Sequence, residues 1–204
     1  MQKNKKFRIL AVGDMHGDSN LAKKLAERAE KENVNLIVLC GDITGSIETK
    51  NLIKPFKDKN KPVLMVPGNH DSPDSIDFLS EFYKIRNIHN NSAIYESVGF
   101  FGAGWATNIG PWVTTEKNIF ASLENAHSQI EGIERKVMVT HMHPLGSKSE
   151  FSGFKGSDSI RKAIKKFSPS LLIHGHIHEA GGFEETIYNT KVINVARSPI
   201  VIEI

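Results

Sequence analysis

The chain has 204 residues, of which 39% are hydrophobic and 24% are charged. A chain of this length and composition normally folds as a globular protein with its own core, which excludes a disordered or fibrous protein. Its 26 lysines and arginines exceed its 23 aspartates and glutamates by only three, so the charge does not favour nucleic acid as a partner. We therefore expect a single domain over residues 1–204.

Cysteine content and apolar segments bear on the compartment. Cys40 is the only cysteine, so no disulfide can form within the chain and a reducing compartment is indicated. The apolar run Phe7–Val12 contains Arg8 and ends at Gly13, which is typical of neither a signal peptide nor a membrane span. We predict a cytoplasmic protein that does not contact a membrane. The sequence leaves open whether it forms a homo-oligomer.

Short apolar runs alternate with stretches of helical periodicity along most of the chain. Five runs are typical of buried strands, namely Phe7–Val12, Leu36–Leu39, Val63–Val66, Val137–Thr140 and Leu171–Ile173. A first helix is predicted after a cap at Asp18 or Ser19. Further helices are predicted over Ser46–Phe56, Ser75–Phe82, Glu116–Glu134 and Ser157–Phe167.

Strand, helix and strand at this spacing indicate βαβ units, in which helices cover the faces of a sheet with parallel strands. The segments Ser92–Phe101 and Phe183–Ile204 read instead as one strand after another. The predicted fold class is α/β, a single domain with mixed β-sheets in a sandwich flanked by helices.

Polar side chains of a few types follow each of the five predicted strands. They are Asp14, His16, Asp42, Asn69, His70, Asp71, His141, His143, His174, His176 and His178. Active groups in open α/β sheets collect at the carboxyl ends of strands, so these residues predict one site. Carboxylate and amide oxygens together with imidazoles suit Mn, Fe or Zn. Because seven of the nine histidines fall at these turns and one ion takes only about four to six ligands, two divalent ions are favoured.

Five sequence blocks in order resemble the calcineurin-like metallophosphoesterases, whose pattern is D-x-H, GD, GNH(D/E), H and GHxH. The blocks in this chain are Asp14-Met15-His16, Gly41-Asp42, Gly68-Asn69-His70-Asp71, His141 and Gly175-His176-Ile177-His178. A single block would be weak evidence, whereas five in order at predicted strand ends are specific. The resemblance implies the fold of that family and the hydrolysis of a phosphate ester by metal-activated water.

The resemblance also implies a role for each matching residue. The first ion would be held by Asp14, His16 and His178. The second ion would be held by Asn69, His141 and His176. Asp42 would bridge the two ions, His70 would protonate the leaving-group oxygen as a general acid, and Asp71 would orient His70.

The expected substrate is a small phosphorylated molecule, with a nucleotide-like phosphodiester favoured over a phosphomonoester or DNA. His143 is expected to line the pocket, although the spacing His141-x-His143 can itself hold one metal. The loop over residues 146–156 follows the same strand end, and the loop residues expected to contact substrate are Lys148, Phe151, Phe154 and Lys155. A surface loop without any contact is an equal alternative.

Two other functions compete with this interpretation. The first is a catalytically inactive metal-binding scaffold of the same fold, since fold alone never settles function. Such a protein would usually lack some ligands or the histidine acid, and none of them is missing in this chain. The second is a mononuclear zinc hydrolase that acts on amides or esters. Asn69 argues against it, because a neutral amide is a poor zinc ligand.

Overall fold

The computed structural model describes residues 6–45 and 50–204. The strands are β1 Arg8–Val12, β2 Leu36–Cys40, β3 Val63–Val66, β4 Arg86–Asn87, β5 Ser92–Tyr95, β6 Val98–Ala103, β7 Arg135–Thr140, β8 Leu171–His174, β9 Glu184–Ile187, β10 Thr190–Asn194 and β11 Ile200–Glu203. The α-helices are α1 Ser19–Lys31, α2 Lys54–Asp58, α3 Pro73–Tyr83, α4 Glu116–Ser128 and α5 Asp158–Phe167. Two short 3₁₀ turns cover Lys148–Ser152 and His178–Ala180.

The strands form two mixed sheets, which confirms the predicted fold class. The first sheet has the order β11-β1-β2-β3-β4, with β1 to β4 parallel and β11 antiparallel to β1. The second has the order β5-β6-β7-β8-β10-β9, with a parallel centre and antiparallel edge strands β5 and β9. All five predicted strand runs lie in the parallel parts of these sheets, so their carboxyl ends meet at one edge of the sandwich.

Alternation along the strands places apolar side chains on both faces of each sheet. In β1, Ile9 and Ala11 face the second sheet, whereas Leu10 and Val12 pack with the helices. The core between the sheets contains Val38, Leu64, Phe100, Val139 and Ile173. One outer core lies under α1, α2 and α3, and the other lies under α4 and α5. The chain therefore forms four layers, with helices outside two packed sheets.

The helix bounds agree with the predictions to within two residues for α3 and α5 and differ by more at two places. The helix predicted from Ser46 begins at Lys54 instead, while residues 46–49 lie outside the described residues. Pro55 explains the late start, because proline fits only the first turn of a helix. The prediction that α4 continues to Glu134 is wrong. This helix ends at Ser128, and Gly132 then adopts a φ of 89° in the turn to β7.

None of the helices in the described part of the chain has the length and apolar character needed to cross a membrane.

Candidate metal centre

The candidate site is built where strands of both sheets end. Asp14 follows β1, Asp42 follows β2 and Asn69 follows β3 in the first sheet, while His141 follows β7 in the second. The two aspartates leave their strands with φ values of 60° and 49°, which turn the side chains back over the sheet edge. These positions are buried, so the polar groups they carry need hydrogen-bond partners within the protein.

Gly41 is required by this close approach of the two sheets. Its φ is 85°, a conformation that favours glycine, and a Cβ at this position would collide with Nδ1 of the His141 ring and with the backbone of Gly68. The GD block therefore provides a sharp turn and the space for a histidine from the other sheet.

A first group of candidate ligand atoms lies around His178. Its Nε2 is 3.2 Å from Oδ1 of Asp14 and 3.3 Å from Nε2 of His16. Two atoms that each lie about 2.1 Å from one ion are roughly 3.0–3.4 Å apart at octahedral or tetrahedral angles. The three side chains can thus hold a single cation without rearrangement, and their ligand atoms all lie within 4.8 Å of one another.

A second group lies around His141, whose ring is fully buried. Its Nδ1 donates a hydrogen bond to the carbonyl oxygen of Cys40 at 2.8 Å, which leaves Nε2 of the neutral ring with a lone pair. That Nε2 lies 2.8 Å from Oδ1 of Asn69 and 3.2 Å from Nδ1 of His176. When the His141 ring is neutral, its Nε2 is an acceptor beside the Asn69 oxygen, an arrangement that a cation, whether a proton or a metal ion, stabilises.

Asp42 lies between the two groups. Its Oδ2 is 3.6 Å from Nε2 of His16 and 3.7 Å from Nε2 of His141, while its Oδ1 accepts a hydrogen bond from the backbone N–H of His70 at 2.8 Å. Asp42, Asp14 and His141 also bring one ligand atom each within 4.8 Å of the others. One carboxylate oxygen therefore lies beside a candidate ligand nitrogen of each group.

The pKa values indicate that the cluster stabilises positive charge. Burial opposes ionisation of Asp14, but His178 and His141 outweigh it and lower the pKa of this carboxyl. Burial likewise opposes a charged His141 ring, but the carboxylates of Asp42 and Asp14 outweigh it and raise its pKa. Burial and the neighbouring His141 lower the pKa of His176 to about 2, so this ring is neutral and free to act as a ligand.

His70 and Asp71 are placed in different environments. The exposed His70 ring lies beside His16, with 5.3 Å between the ring centroids, and it faces the same opening as the candidate ligand groups. The Asp71 carboxylate instead accepts hydrogen bonds from the backbone N–H groups of Gly68, Ile43 and Thr44 at 2.8–3.1 Å. The expected contact with His70 is absent from these bonds.

The four loop residues expected to contact substrate divide into two pairs. Phe154 and Lys155 line a cleft that includes His176. Lys148 does not line this cleft, and its Nζ donates to the carbonyl oxygen of Glu184 at 3.1 Å. Phe151 does not line it either and packs on Phe183, with 5.4 Å between ring centroids.

His143 connects this loop to the site without facing the two ligand groups. Its Nε2 lies 3.1 Å from the main-chain oxygen of Phe154 and donates to it, and its ring stacks on His176 with centroids 6.0 Å apart. The neighbouring His174 is buried, and burial lowers its pKa to about 3. The ring of His143 thus lies beside both His176 and His174, with 6.2 Å between the centroids of His143 and His174.

The segment between β6 and α4 also belongs to the site, although no sequence pattern predicted this. The backbone N–H of Trp112 donates to the carbonyl oxygen of Asn69 at 3.0 Å, and Ile109 lines the opening over the ligand groups. Gly110-Pro111 is a recognisable turn dipeptide, but a turn signal does not say which distant residue the turn will contact.

A two-sheet sandwich with carboxylate, amide and imidazole groups at its strand ends is the arrangement of a metal-dependent hydrolase. The chain belongs to the calcineurin-like phosphoesterase family, whose sequence profile matches residues 7–180. The resemblance that the five motif blocks indicate is thereby confirmed. Members of this family use divalent metals, and the ligand groups described above fit such ions.

Known proteins similar to this chain come from several organisms. An uncharacterized protein of Methanocaldococcus jannaschii is 32% identical over 206 residues, which cover 93% of this chain and 88% of that protein. A solved structure from Thermus thermophilus has a TM-score of 0.73 at 18% identity, covering 93% of this chain and 89% of the other. A dimetal phosphatase from Danio rerio has a TM-score of 0.62 at 12% identity, covering 92% and 86%. These two structures share the fold.

Proposed function

We propose that the chain hydrolyses small phosphodiesters with two divalent metal ions, held in the ligand groups around His178 and His141. The observation that carries this proposal is the position of Asp42, whose Oδ2 lies at 3.6–3.7 Å from a ligand nitrogen of each group. A shared carboxylate between two ions a few ångströms apart is the usual arrangement of two-metal phosphoesterases. The dimetal phosphatase among the similar structures supports the same metal count.

The ligand chemistry favours Mn, Fe or Zn. Histidine nitrogens and carboxylate oxygens suit these ions, and the nearest thiol cannot select a softer metal. Cys40 is fully buried and faces the core between the sheets, and burial raises the pKa of its thiol well above the usual value. Only its main-chain oxygen contributes, by fixing the tautomer of His141.

The mechanism assigns a separate task to each side chain. When bound, divalent ions supply Lewis acidity, which lowers the pKa of water and offsets charge on the phosphoryl oxygens. Asp42 would link the two ligand groups through its carboxylate. Its Oδ1 also accepts the backbone N–H of His70 and so fixes the backbone at that residue. His70 then protonates the departing alkoxide, which turns a poor leaving group into a neutral alcohol.

The charge around the opening favours a diester over a monoester. Among the described residues that line it there is no lysine or arginine, and Glu179 adds a carboxylate. A phosphomonoester is largely a dianion at neutral pH and would benefit from extra cationic side chains, whereas a phosphodiester carries a single negative charge. Ile109 and Phe154 make the rest of the opening apolar, which suits an ester substituent.

The experiment that tests this function combines metal analysis with a hydrolysis screen. Purified protein reconstituted with Mn²⁺ is expected to hold two ions per chain and to hydrolyse diesters such as bis(p-nitrophenyl) phosphate faster than p-nitrophenyl phosphate. Asp42→Asn is expected to lower occupancy at both positions together. One ion per chain in the reconstituted protein would contradict the two-metal centre, and full metal loading without hydrolysis of any phosphate ester would support the inactive scaffold instead.

A further inference from the structure

The opening over the ligand groups adjoins a second, larger cavity. The first part, which we call the metal chamber, has a volume of about 230 Å³ and is lined by His16, Asp42, His70 and His178, among others. The second part, which we call the side cleft, has a volume of about 510 Å³ and lies between the segment that follows β6 and the loop that follows β7. Cavities of this second size hold small organic ligands.

The two spaces share one wall. Ile109, Phe154 and His176 line both the metal chamber and the side cleft, so a molecule bound over the ions can extend past these three residues. His70 and His16 line only the metal chamber. The side cleft therefore leaves the chamber on the His176 side and does not reach the general acid.

This arrangement assigns the two ester arms of a diester to different places. The leaving-group oxygen must face His70, because it receives its proton there. A group in the side cleft lies beyond His176 and cannot receive that proton. In hydrolysis, water adds its oxygen to phosphorus, the bond to the leaving oxygen breaks, and the second ester bond stays intact. The group that can occupy the side cleft is the one that stays on phosphorus.

The walls of the side cleft indicate the chemistry of that group. Phe154 lines the cleft and is 50% exposed, while Met142 and Ile109 add apolar surface. Lys155 forms no ion pair with any other residue that the structure describes, and Thr107 makes only a weak contact with the sulfur of Met142 at 3.6 Å. Glu116 and Asp158 also line the cleft, where Glu116 accepts hydrogen bonds from Ser157 and Ser159 and Asp158 pairs with Lys162. An exposed phenylalanine with cationic, carboxylate and hydroxyl groups beside it suits a planar base that carries further polar substituents.

We propose that the side cleft binds a nucleoside-sized group that stays on phosphorus, so that the preferred substrates are nucleotide-like diesters and the product left in the site is a nucleoside monophosphate. The proposal rests on the phosphodiesterase function proposed above. It makes Phe154 the residue that selects the retained group. Its ring can be removed without releasing the loop, because His143 holds the main-chain oxygen of Phe154 and not its side chain.

The test uses two diesters with the same leaving group, thymidine 5′-(p-nitrophenyl) phosphate and methyl p-nitrophenyl phosphate. In the manganese-loaded wild type, kcat/KM for the nucleoside ester should exceed that for the methyl ester. In Phe154→Ala the ratio of the two should fall about tenfold, since loss of one aromatic stacking contact weakens binding by about 5- to 160-fold. Phe183→Ala is the matched control, because Phe183 is a 42% exposed phenylalanine outside the cleft.

Binding provides a second measurement that does not depend on turnover. Calorimetric affinity for thymidine 5′-monophosphate relative to inorganic phosphate should also fall about tenfold in Phe154→Ala and stay at the wild-type value in Phe183→Ala. Equal losses on both esters would place the leaving group in the cleft and overturn the proposal, as would an unchanged ratio. Failure of the wild type to hydrolyse either ester would instead refute the phosphodiesterase function itself.

Discussion

His70 and Asp71 are adjacent in the sequence, yet one faces the metal chamber and the other faces the protein interior. The residue before them, Asn69, belongs to the ligand group around His141. The tight turn between Gly68 and Asp71 therefore places three consecutive side chains in three different environments. A substitution at each position should produce a different defect.

His70→Ala should slow hydrolysis without removing the metals, because no ligand atom is lost. We expect a decrease of about 10²–10⁴-fold on alkyl esters, the usual contribution of a general acid. The loss should be much smaller with p-nitrophenyl esters, whose leaving group departs without a proton. Steady-state kinetics on both ester types, together with metal analysis, check this. Equal losses on good and poor leaving groups, or loss of metal, would assign His70 another role.

Asp71→Ala should destabilise the fold rather than the chemistry alone. Burial raises the pKa of Asp71, and the N–H donors of Gly68, Thr44 and Ile43 oppose that rise. Removal of the carboxylate leaves these three buried donors without an acceptor, at about 1–3 kcal/mol each. We expect a loss of roughly 3 kcal/mol or more in the free energy of unfolding, measured by urea denaturation in chelator so that metal binding does not contribute.

The control for Asp71→Ala is Thr44→Val, which removes only the hydroxyl bond to Asp71. A single bond of this kind should contribute about 1 kcal/mol. If both variants were equally stable, Asp71 would not hold the two turns together.

The motif blocks predicted which residues come together because each candidate ligand is tied to the end of a parallel strand. The contacts of Asp71 could not be predicted in the same way. The resemblance implied a partner one residue away, but the carboxylate bonds to backbone donors 27 and 28 residues distant, at Thr44 and Ile43. Backbone donors have no sequence signature, and every turn offers them.

At the scale of elements, the segment between β6 and α4 is packed directly on a proposed ligand. Gly110 has a φ of 87°, and a Cβ there would collide with the side-chain nitrogen of Asn69. The carbonyl oxygen of Asn69 also accepts the N–H of Trp112. The segment therefore fixes the orientation of the amide whose Oδ1 points toward the His141 group.

Gly110→Ala should displace the Asn69 amide and weaken metal binding in the His141 group. The matched control is Gly132→Ala, because Gly132 has a φ of 89° and a Cβ there would meet nothing within 4 Å, so the same backbone strain arises without the collision. Both variants should lose about 1–2 kcal/mol of stability from that strain. Only Gly110→Ala should lower metal affinity, measured by competition with a chelating dye. Equal metal affinity in the two variants would show that the segment does not position Asn69.

Strands were predicted better than the segments between them for a physical reason. A buried parallel strand is apolar on both faces, so β2 and β3 are visible as continuous apolar runs. In the loop over residues 146–156, composition could not distinguish Phe154 from Phe151. Only the fold shows that Phe154 lines the side cleft, whereas the ring of Phe151 packs on Phe183.

At the scale of the whole molecule, each proposed ion connects the two sheets. Asp14 and His16 follow β1 of the first sheet, whereas their partner His178 follows β8 of the second. The other group combines Asn69 after β3 with His141 after β7. The ligands of one ion come close together only when both sheets are packed, so the unfolded chain should bind metal weakly.

Manganese should therefore stabilise the folded protein as a whole. A ligand present at about 1,000 times its Kd stabilises the native state by about 4 kcal/mol when the unfolded chain does not bind it. For a domain of this size each 1 kcal/mol raises Tm by about 2–4 °C, so we expect an increase of roughly 8–16 °C for each bound ion, measured by calorimetry with and without chelator. His178→Ala should lose a large part of that increase. His127→Ala is the control, because this ring stacks on Phe167 in the outer helical layer, with 4.4 Å between ring centroids. An increase in Tm that is the same in His178→Ala as in the wild type would show that manganese does not bind between the sheets.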